Sequence, residues 1–198
     1  MWYDGGEEMS YVNRRYSVVP YDDKWPRMYA AEAGMVRAAL EDEIIEMEHI
    51  GSTAVPGLAS KPALDILIIV KNLKKIDSYN FSLKSIGYDA LGEWAVPNSR
   101  FFNKDRIDKD GGEERLVNLH VFPEEHLKTL EMVDVRDYLI AHRHEAKKYE
   151  DLKKNLFTRH PNNYLSYREG KEEYLAELAK RASRWKDATQ GPRHFPHI

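Results

Sequence analysis

The sequence predicts an α/β chain built on a small mixed β-sheet, with flanking helices and two further helices toward its C-terminal end. Three observations carry that prediction. Residues 63–70, ALDILIIV, form a continuous apolar run rich in β-branched residues and broken only by Asp65, the pattern of a central strand covered on both faces. Apolar residues recur at helical spacing before that run, from Trp25 to Leu40, and well after it, from Val135 to Leu156. Between them, Ser99–Asn103 and Glu114–Phe122 read as two strands joined by a charged, glycine-containing loop over 104–112.

Taken in order, residues 1–16 show no sustained period, and Gly5-Gly6-Glu7-Glu8 reads as a loop in a loosely ordered arm. A helix begins at Trp25, with Asp22 or Asp23 as its N-cap and Pro26 tolerated in the first turn. Ile44–Ile50 is a short strand that Gly51-Ser52 terminates, and the central strand follows. Leu73, Ile76 and Leu83 place a helix over Leu73–Ile86, closed by Gly87, and Pro123 ends the last strand. Val135, Tyr138, Leu139, His142, Ala146, Tyr149, Leu152 and Leu156 make one stripe of one long amphipathic helix. After a loop at 159–163, a second helix runs from Tyr164 to Trp185, with Gly170 as its weak point. The order is α-β-β-α-β-β-α-α. The expected organisation is an arm over 1–16, one domain over 17–186 (sheet core 17–132, helical part 133–186) and a tail over 187–198.

The bulk properties exclude several classes. Thirty Lys plus Arg against 33 Asp plus Glu give a net charge of −3, which argues against wholesale electrostatic binding of nucleic acid. Zero cysteine removes disulfide scaffolds, thiolate metal sites and thiol nucleophiles. The longest strongly apolar stretch, Ile66–Val70, falls far short of the ~18 residues a membrane helix requires. The N-terminal stretch carries acids where a signal peptide would be basic and then apolar, so a cytoplasmic location is expected.

The chemistry concentrates between Glu48 and Asp65. A Gly51-Ser52 pair directly after a strand, with Asp65 thirteen positions beyond Ser52 near the start of the next strand, brings backbone N–H groups, a hydroxyl and a carboxylate to one edge. Backbone donors can cradle a phosphate, and a carboxylate can hold a divalent cation that bridges phosphate oxygens. Each residue also has a structural reading. Asp65 could be a solvated strand end, Ser52 the cap of a following turn, His120 a hydrogen-bonded histidine between Leu119 and Val121, and Lys61 a loop charge. His142 and His144 lie about 200° apart on a helix and cannot converge on one metal. The charged runs Lys147–Lys154 and Lys171–Glu177 read as solvated faces, and Tyr138, Tyr149 and Trp185 read as core.

From about Val18 to Leu178 the sequence resembles the GrpB-like family. The resemblance rests on Val19-Pro20-Tyr21-Asp22 with Trp25-Pro26, the long motif Glu48–Asp65, Leu119-His120-Val121, and Arg136-Asp137-Tyr138-Leu139 with His142. It implies a nucleotidyltransferase-type fold, as in DNA polymerase β, and metal-dependent binding of a nucleoside triphosphate with transfer to an acceptor, a small molecule or a protein. Asp65 matches the first acid of the superfamily motif, while Leu67 stands at the second and His120 on the neighbouring strand. By this resemblance Asp65 and His120, with Glu48 or His49, would hold one divalent metal, magnesium or manganese or, given the imidazole, zinc. Gly51, Ser52, Lys61, Arg100 and Lys171 would meet the phosphates, and His120 would serve as ligand or base. Two other readings accompany this one: a non-catalytic binding module that has lost the acid at position 67, and a single-metal hydrolase using Asp65 and His120.

Overall fold

A computed structural model describes residues 14–107 and 111–191. Most of the expected arm, including Gly5–Glu8, and most of the expected tail lie outside these residues. Helix α1 spans Trp25–Leu40 and is followed by strands β1 (Ile44–Ile50) and β2 (Leu64–Val70). Short helices α2 (Leu73–Ile76) and α3 (Asn80–Ser85) lead into β3 (Asp89–Ala90), β4 (Arg100–Ile107) and β5 (Glu113–Pro123). The chain continues through α4 (Leu127–Ala141), α5 (Arg143–Arg159), α6 (Tyr164–Glu169) and α7 (Glu172–Gln190). The five strands form one mixed sheet in the order β1-β2-β5-β4-β3, in which only β2 and β5 run parallel.

Alternation along the strands gives the sheet two different faces. One carries Met47, Ile66, Ile68, Leu119 and Val121 and packs against Trp25, Val36 and Leu40 of α1 and Ile76 and Leu83 of α2 and α3. The other carries Ile50, Leu67 and Phe122, covered by Met132 and Val133 of α4. Asp65 pairs with Asn118, and Leu67 with His120, so these residues share that second face. Burial of five of the seven β2 residues explains the unbroken apolar run seen in the sequence.

The structure divides helices that periodicity had left whole. Within Leu73–Ile86, Asn72 caps α2 by accepting from the amides of Lys74 and Lys75, and a 3-10 turn over Asp77–Tyr79 separates α2 from α3. The N-cap of α1 is Lys24 and not Asp22 or Asp23, although Asp22 Oδ1 accepts from the Lys24 amide at 2.9 Å just ahead of it. The long helix expected from Val135 starts at Leu127 and turns at His142, whose φ of −119° and ψ of 77° leave the helical region. The apolar stripe crosses that turn because Leu139 on α4 and Ala146 and Tyr149 on α5 enter one cluster with Val55, Leu58 and Leu178. The last helix breaks at Gly170, where a Cβ would lie 2.5 Å from Leu156 Cδ2. Strand β4 runs four residues beyond Asn103, and β3 carried no periodic signal because it is two residues long.

Candidate functional site

At the end of β1 the chain reverses through Gly51, whose φ of 71° lies in the left-handed region that glycine occupies without steric penalty. A Cβ at this position would stand 2.6 Å from Asp65 Oδ2, so the turn and the carboxylate fit only if residue 51 has no side chain. The reversal opens a single 3-10 turn, Ser52–Ala54. Ser52 bonds the hydroxyl of the buried Tyr149 from α5, which ties the turn to the helical side of the molecule.

Asp65 is the terminus of a polar chain across the second face of the sheet. Its Oδ1 accepts from Asn118 Nδ2 at 2.8 Å and from His120 Nε2 at 3.3 Å. Asn118 Oδ1 accepts in turn from Arg115 Nη1 at 2.6 Å, and Arg115 Nε donates to Asp105, which also receives Asn103 Nδ2 at 2.6 Å. Arg115 reaches this face because the β4–β5 register slips between Lys104 and Asp105, leaving an extra residue on β5. Burial opposes ionisation of Asp65, but His120, Lys61 and Asn118 outweigh it and hold the carboxyl below its ordinary range.

Beside the Gly51–Ser52 turn lies a cavity of about 200 Å³ into which Lys61, Lys153 and Lys171 project together with Asp65. Lys153 is 2% exposed, donates to the Ala59 carbonyl and sits 4.7 Å from the centre of the Tyr149 ring. Lys171 lies 4.4 Å over Tyr167, and Lys61 4.9 Å over Tyr164. No ion pair to a carboxylate forms at any of the three among the described residues. Burial, reinforced by Lys171, lowers the Lys153 amine to about 7. Burial also lowers Lys171 to about 8, Lys61 adding to the fall and Tyr164 opposing it. Burial would raise the Tyr164 phenol, but Lys61 and Lys171 outweigh it and bring it to about 8.

The expected site residues therefore separate into two groups. Gly51, Ser52, Lys61, Asp65 and Lys171 converge on the lysine cavity, and His120 stands at its edge through Asp65. Glu48 does not join them, because its carboxylate receives Arg136 Nη1 on the α4 side. His49 faces the opposite side of the sheet, stacked on Tyr29 at 4.8 Å and bonded to Thr53 at 3.0 Å, and burial lowers it to about 4. The Arg100 guanidinium is gripped by both Asp77 oxygens at 2.6 and 2.7 Å. Among the described residues no three His, Asp or Glu side chains come together as a metal site, and the two nearest candidates, Asp65 and His120, are bonded to each other. That donor set does not fit the expected divalent ion.

Sequence reasoning missed Lys153 and Arg115. Lys153 lies four residues after Tyr149 and three before Leu156, on the buried stripe of α5, so helical phase contained the signal that the charged run concealed. Arg115 gave no signal, since a bulge sets its direction. His142 stacks on Tyr138 at 4.1 Å and meets Trp185 at 5.3 Å, in keeping with an aromatic core.

The profile of the family described as "GrpB protein" matches residues 15–181. Over 176 residues, 89% of this chain, the sequence is 32% identical to the UPF0157 protein YqkA of Bacillus subtilis and covers 50% of it, so the chain spans half the length of that relative. It is 33% identical over 91% of its length to the UPF0157 protein PA4798 of Pseudomonas aeruginosa, 73% of which it covers. The crystal structure of the conserved protein GrpB from Enterococcus faecalis overlays with a TM-score of 0.78 at 30% identity, covering 84% of this chain and 96% of that one. No described helix is long and apolar enough to cross a membrane.

Proposed function

The chain belongs to the GrpB family, and from the site it carries we propose that it binds a nucleoside triphosphate by its polyphosphate chain and transfers the nucleotidyl group to a second substrate. The observation that carries this reading is the lysine cavity. Three lysine side chains sharing about 200 Å³ with the one carboxylate of Asp65 leave an excess of positive charge that a polyanion removes. The Gly51–Ser52 turn supplies backbone donors at the same wall.

Charge on the phosphates is balanced here by Lys61, Lys153 and Lys171. In transfer, the second substrate's oxygen or nitrogen forms a bond to the α-phosphorus as the bond to the β-phosphate oxygen breaks, and pyrophosphate departs with the electron pair. The proton goes to the Asp65–His120 pair. With Nε2–H donating to Asp65, the free lone pair of His120 is on Nδ1, and the carboxylate stabilises the imidazolium that forms. A second reading, binding without turnover, draws on Leu67: the position of the second acid is 1% exposed and packed with Ile50 and Phe122.

Calorimetric titration and thermal melting with ATP, GTP, CTP, UTP and inorganic triphosphate, each with EDTA or with magnesium or manganese, test the proposal. At a hundredfold excess over Kd, binding should stabilise the fold by about 2.7 kcal/mol, and the gain should shrink in Lys171→Gln. No response to any of these polyphosphates under either condition would remove the reading. Release of labelled pyrophosphate in the presence of cell extract, lost in His120→Asn, separates transfer from binding alone.

A further inference from the structure

The lysine cavity adjoins a long groove that the mechanism above leaves unused. Gly51, Asp65, Val135 and Leu175 line both, and His120 lines the groove as well. A group lying in the groove and a phosphate in the cavity therefore meet at the same carboxylate, with nothing interposed. The groove holds about 1100 Å³ against about 200 Å³ for the lysine cavity, above the roughly 300–1,000 Å³ of small-molecule pockets. Its apolar lining comes from Leu127, Leu130 and Met132 of α4 and from Leu175, Ala176 and Ala179 of α7. Leu127 is 72% exposed, an apolar side chain left facing water.

The charges on the rim are ordered. Lys128 is held by Glu131 at 2.5 Å and Lys180 by Glu177 at 2.7 Å, so neither is available to a partner without breaking a pair. Glu172 and Arg184, both exposed, form no ion pair among the described residues. They share the groove-lining face of α7 with Leu175, Ala176 and Ala179, at the three- and four-residue spacing of one helix face. Twelve positions apart at 1.5 Å each, they stand roughly 18 Å from one another along the axis. Glu172 directly follows Lys171 of the lysine cavity, which puts the carboxylate at the catalytic end and the guanidinium at the far end.

We propose that this groove seats the second substrate, and that this substrate is an extended polypeptide segment. Its apolar side chains lie between α4 and α7, a basic residue faces Glu172, and an acidic residue faces Arg184. An extended chain covers the roughly 18 Å between those two charges in about five or six residues. A serine, threonine or tyrosine beside the basic residue reaches Asp65 and His120. The inference rests on the nucleotide reading for its chemistry: the hydroxyl oxygen bonds to the α-phosphorus, the bond to the β-phosphate oxygen breaks, pyrophosphate leaves with the electron pair, and His120 takes the hydroxyl proton. A nucleic-acid strand fits less well, because its phosphates would run past the carboxylates of Asp65 and Glu172. A small molecule would leave most of the groove unfilled.

Fluorescent peptides of about nine residues serve as probes: a serine beside an arginine, then leucines and alanines, then a glutamate at the matching span, made in both chain directions. They are titrated into the full chain without nucleotide and read by anisotropy. At least one direction should bind saturably, and exchanging its arginine and glutamate should weaken binding at least tenfold. The double variant Glu172→Arg with Arg184→Glu, at two exposed positions, should reverse that preference. No saturable binding of either direction up to millimolar concentration overturns the inference, as does equal binding of the exchanged peptides or tighter binding of an oligothymidylate of similar length. Lys171→Gln should keep the peptide while losing triphosphate affinity, so charge-selective peptide binding without any triphosphate response strikes the nucleotide reading and keeps the polypeptide groove. With ATP present, the bound peptide should gain one nucleotidyl group by mass spectrometry, and its alanine-for-serine counterpart should bind and gain none. Pyrophosphate release with cell extract that leaves a saturating peptide unmodified overturns the assignment of the groove to the acceptor.

Discussion

Two clusters of buried cations lie on either side of the Gly51 turn and are built in opposite ways. Between β1, α4 and α7, Arg136 donates to Glu48, to Asp137 at 2.8 Å and to the His49 carbonyl at 3.0 Å, while Lys186 donates to Asp137 at 2.6 Å. Every positive charge there has a carboxylate. Burial opposes the charge on Asp137, yet Lys186 and Arg136 overcome it and keep its carboxyl low. Across the cavity, Lys61, Lys153 and Lys171 form no ion pair among the described residues, have aromatic faces, one backbone carbonyl and the already hydrogen-bonded Asp65 for company, and the two most enclosed lose part of their charge. Arg136 even lines the same cavity, its charge already engaged. The difference separates cations that hold the fold together from cations kept at a cost to it, and the proposed phosphate site draws on the second kind.

The largest effect should come from the paired cluster. Arg136→Ala leaves Glu48 without its partner and Asp137 with Lys186 alone, and should cost about 3 kcal/mol in urea denaturation. In the lysine cavity the same measurement should give the opposite sign. Lys153→Met or Lys171→Met removes an uncompensated buried charge and should be neutral or stabilising by up to about 1 kcal/mol. Triphosphate affinity should fall at least tenfold, about 1.4 kcal/mol, in the same variants. A loss of stability equal to that of Arg136→Ala would show that the two clusters do not differ.

A smaller effect sharpens the comparison through pH. The folded amines of Lys153, at about 7, and Lys171, at about 8, lie below the ~10.4 of an unfolded lysine, so the unfolded chain binds more protons throughout that interval. Stability of the ligand-free protein should therefore rise between about pH 7 and pH 9, and Tyr164, lowered to about 8, acts in the same direction. Depressed carboxyls such as Asp137 contribute nothing in this window, since their stabilisation is lost only on acidification through their folded values. Saturating triphosphate should flatten the rise in melting temperature, because an anion restores the lysine charges. The smallest effect is expected from Lys180→Ala, whose exposed pairing with Glu177 should leave the urea midpoint unchanged.

Short-range signals were legible wherever one residue's environment follows from its immediate neighbours. The β2 run, the Gly51 turn and the placement of Asp65 beside it all belong to this class, and the weak point at Gly170 marks a real break. Patterns repeated over many residues read less well. The stripe from Val135 to Leu156 concealed the turn at His142 because both helices feed one apolar cluster, and a charged run around Lys153 concealed a buried ammonium on the same face as Tyr149.

By itself the sequence determined the mixed α/β architecture and the strand–turn–strand frame that joins Gly51 to Asp65, while Lys171, which the residues alone read as part of a solvated run, was placed near that frame only by the family resemblance. The tertiary structure alone decided that Glu48 would pair with Arg136, that His49 would face away, that Lys153 would enter the cavity, and that a register slip would turn Arg115 toward Asn118. The reason is physical. A turn or a strand is specified by backbone preferences and spacing within a few residues, whereas the partner of a charged side chain is set by which strand face and which helix pack together. Those pairings join residues separated by dozens of positions, and the free energy of a buried charge depends on the whole surrounding assembly.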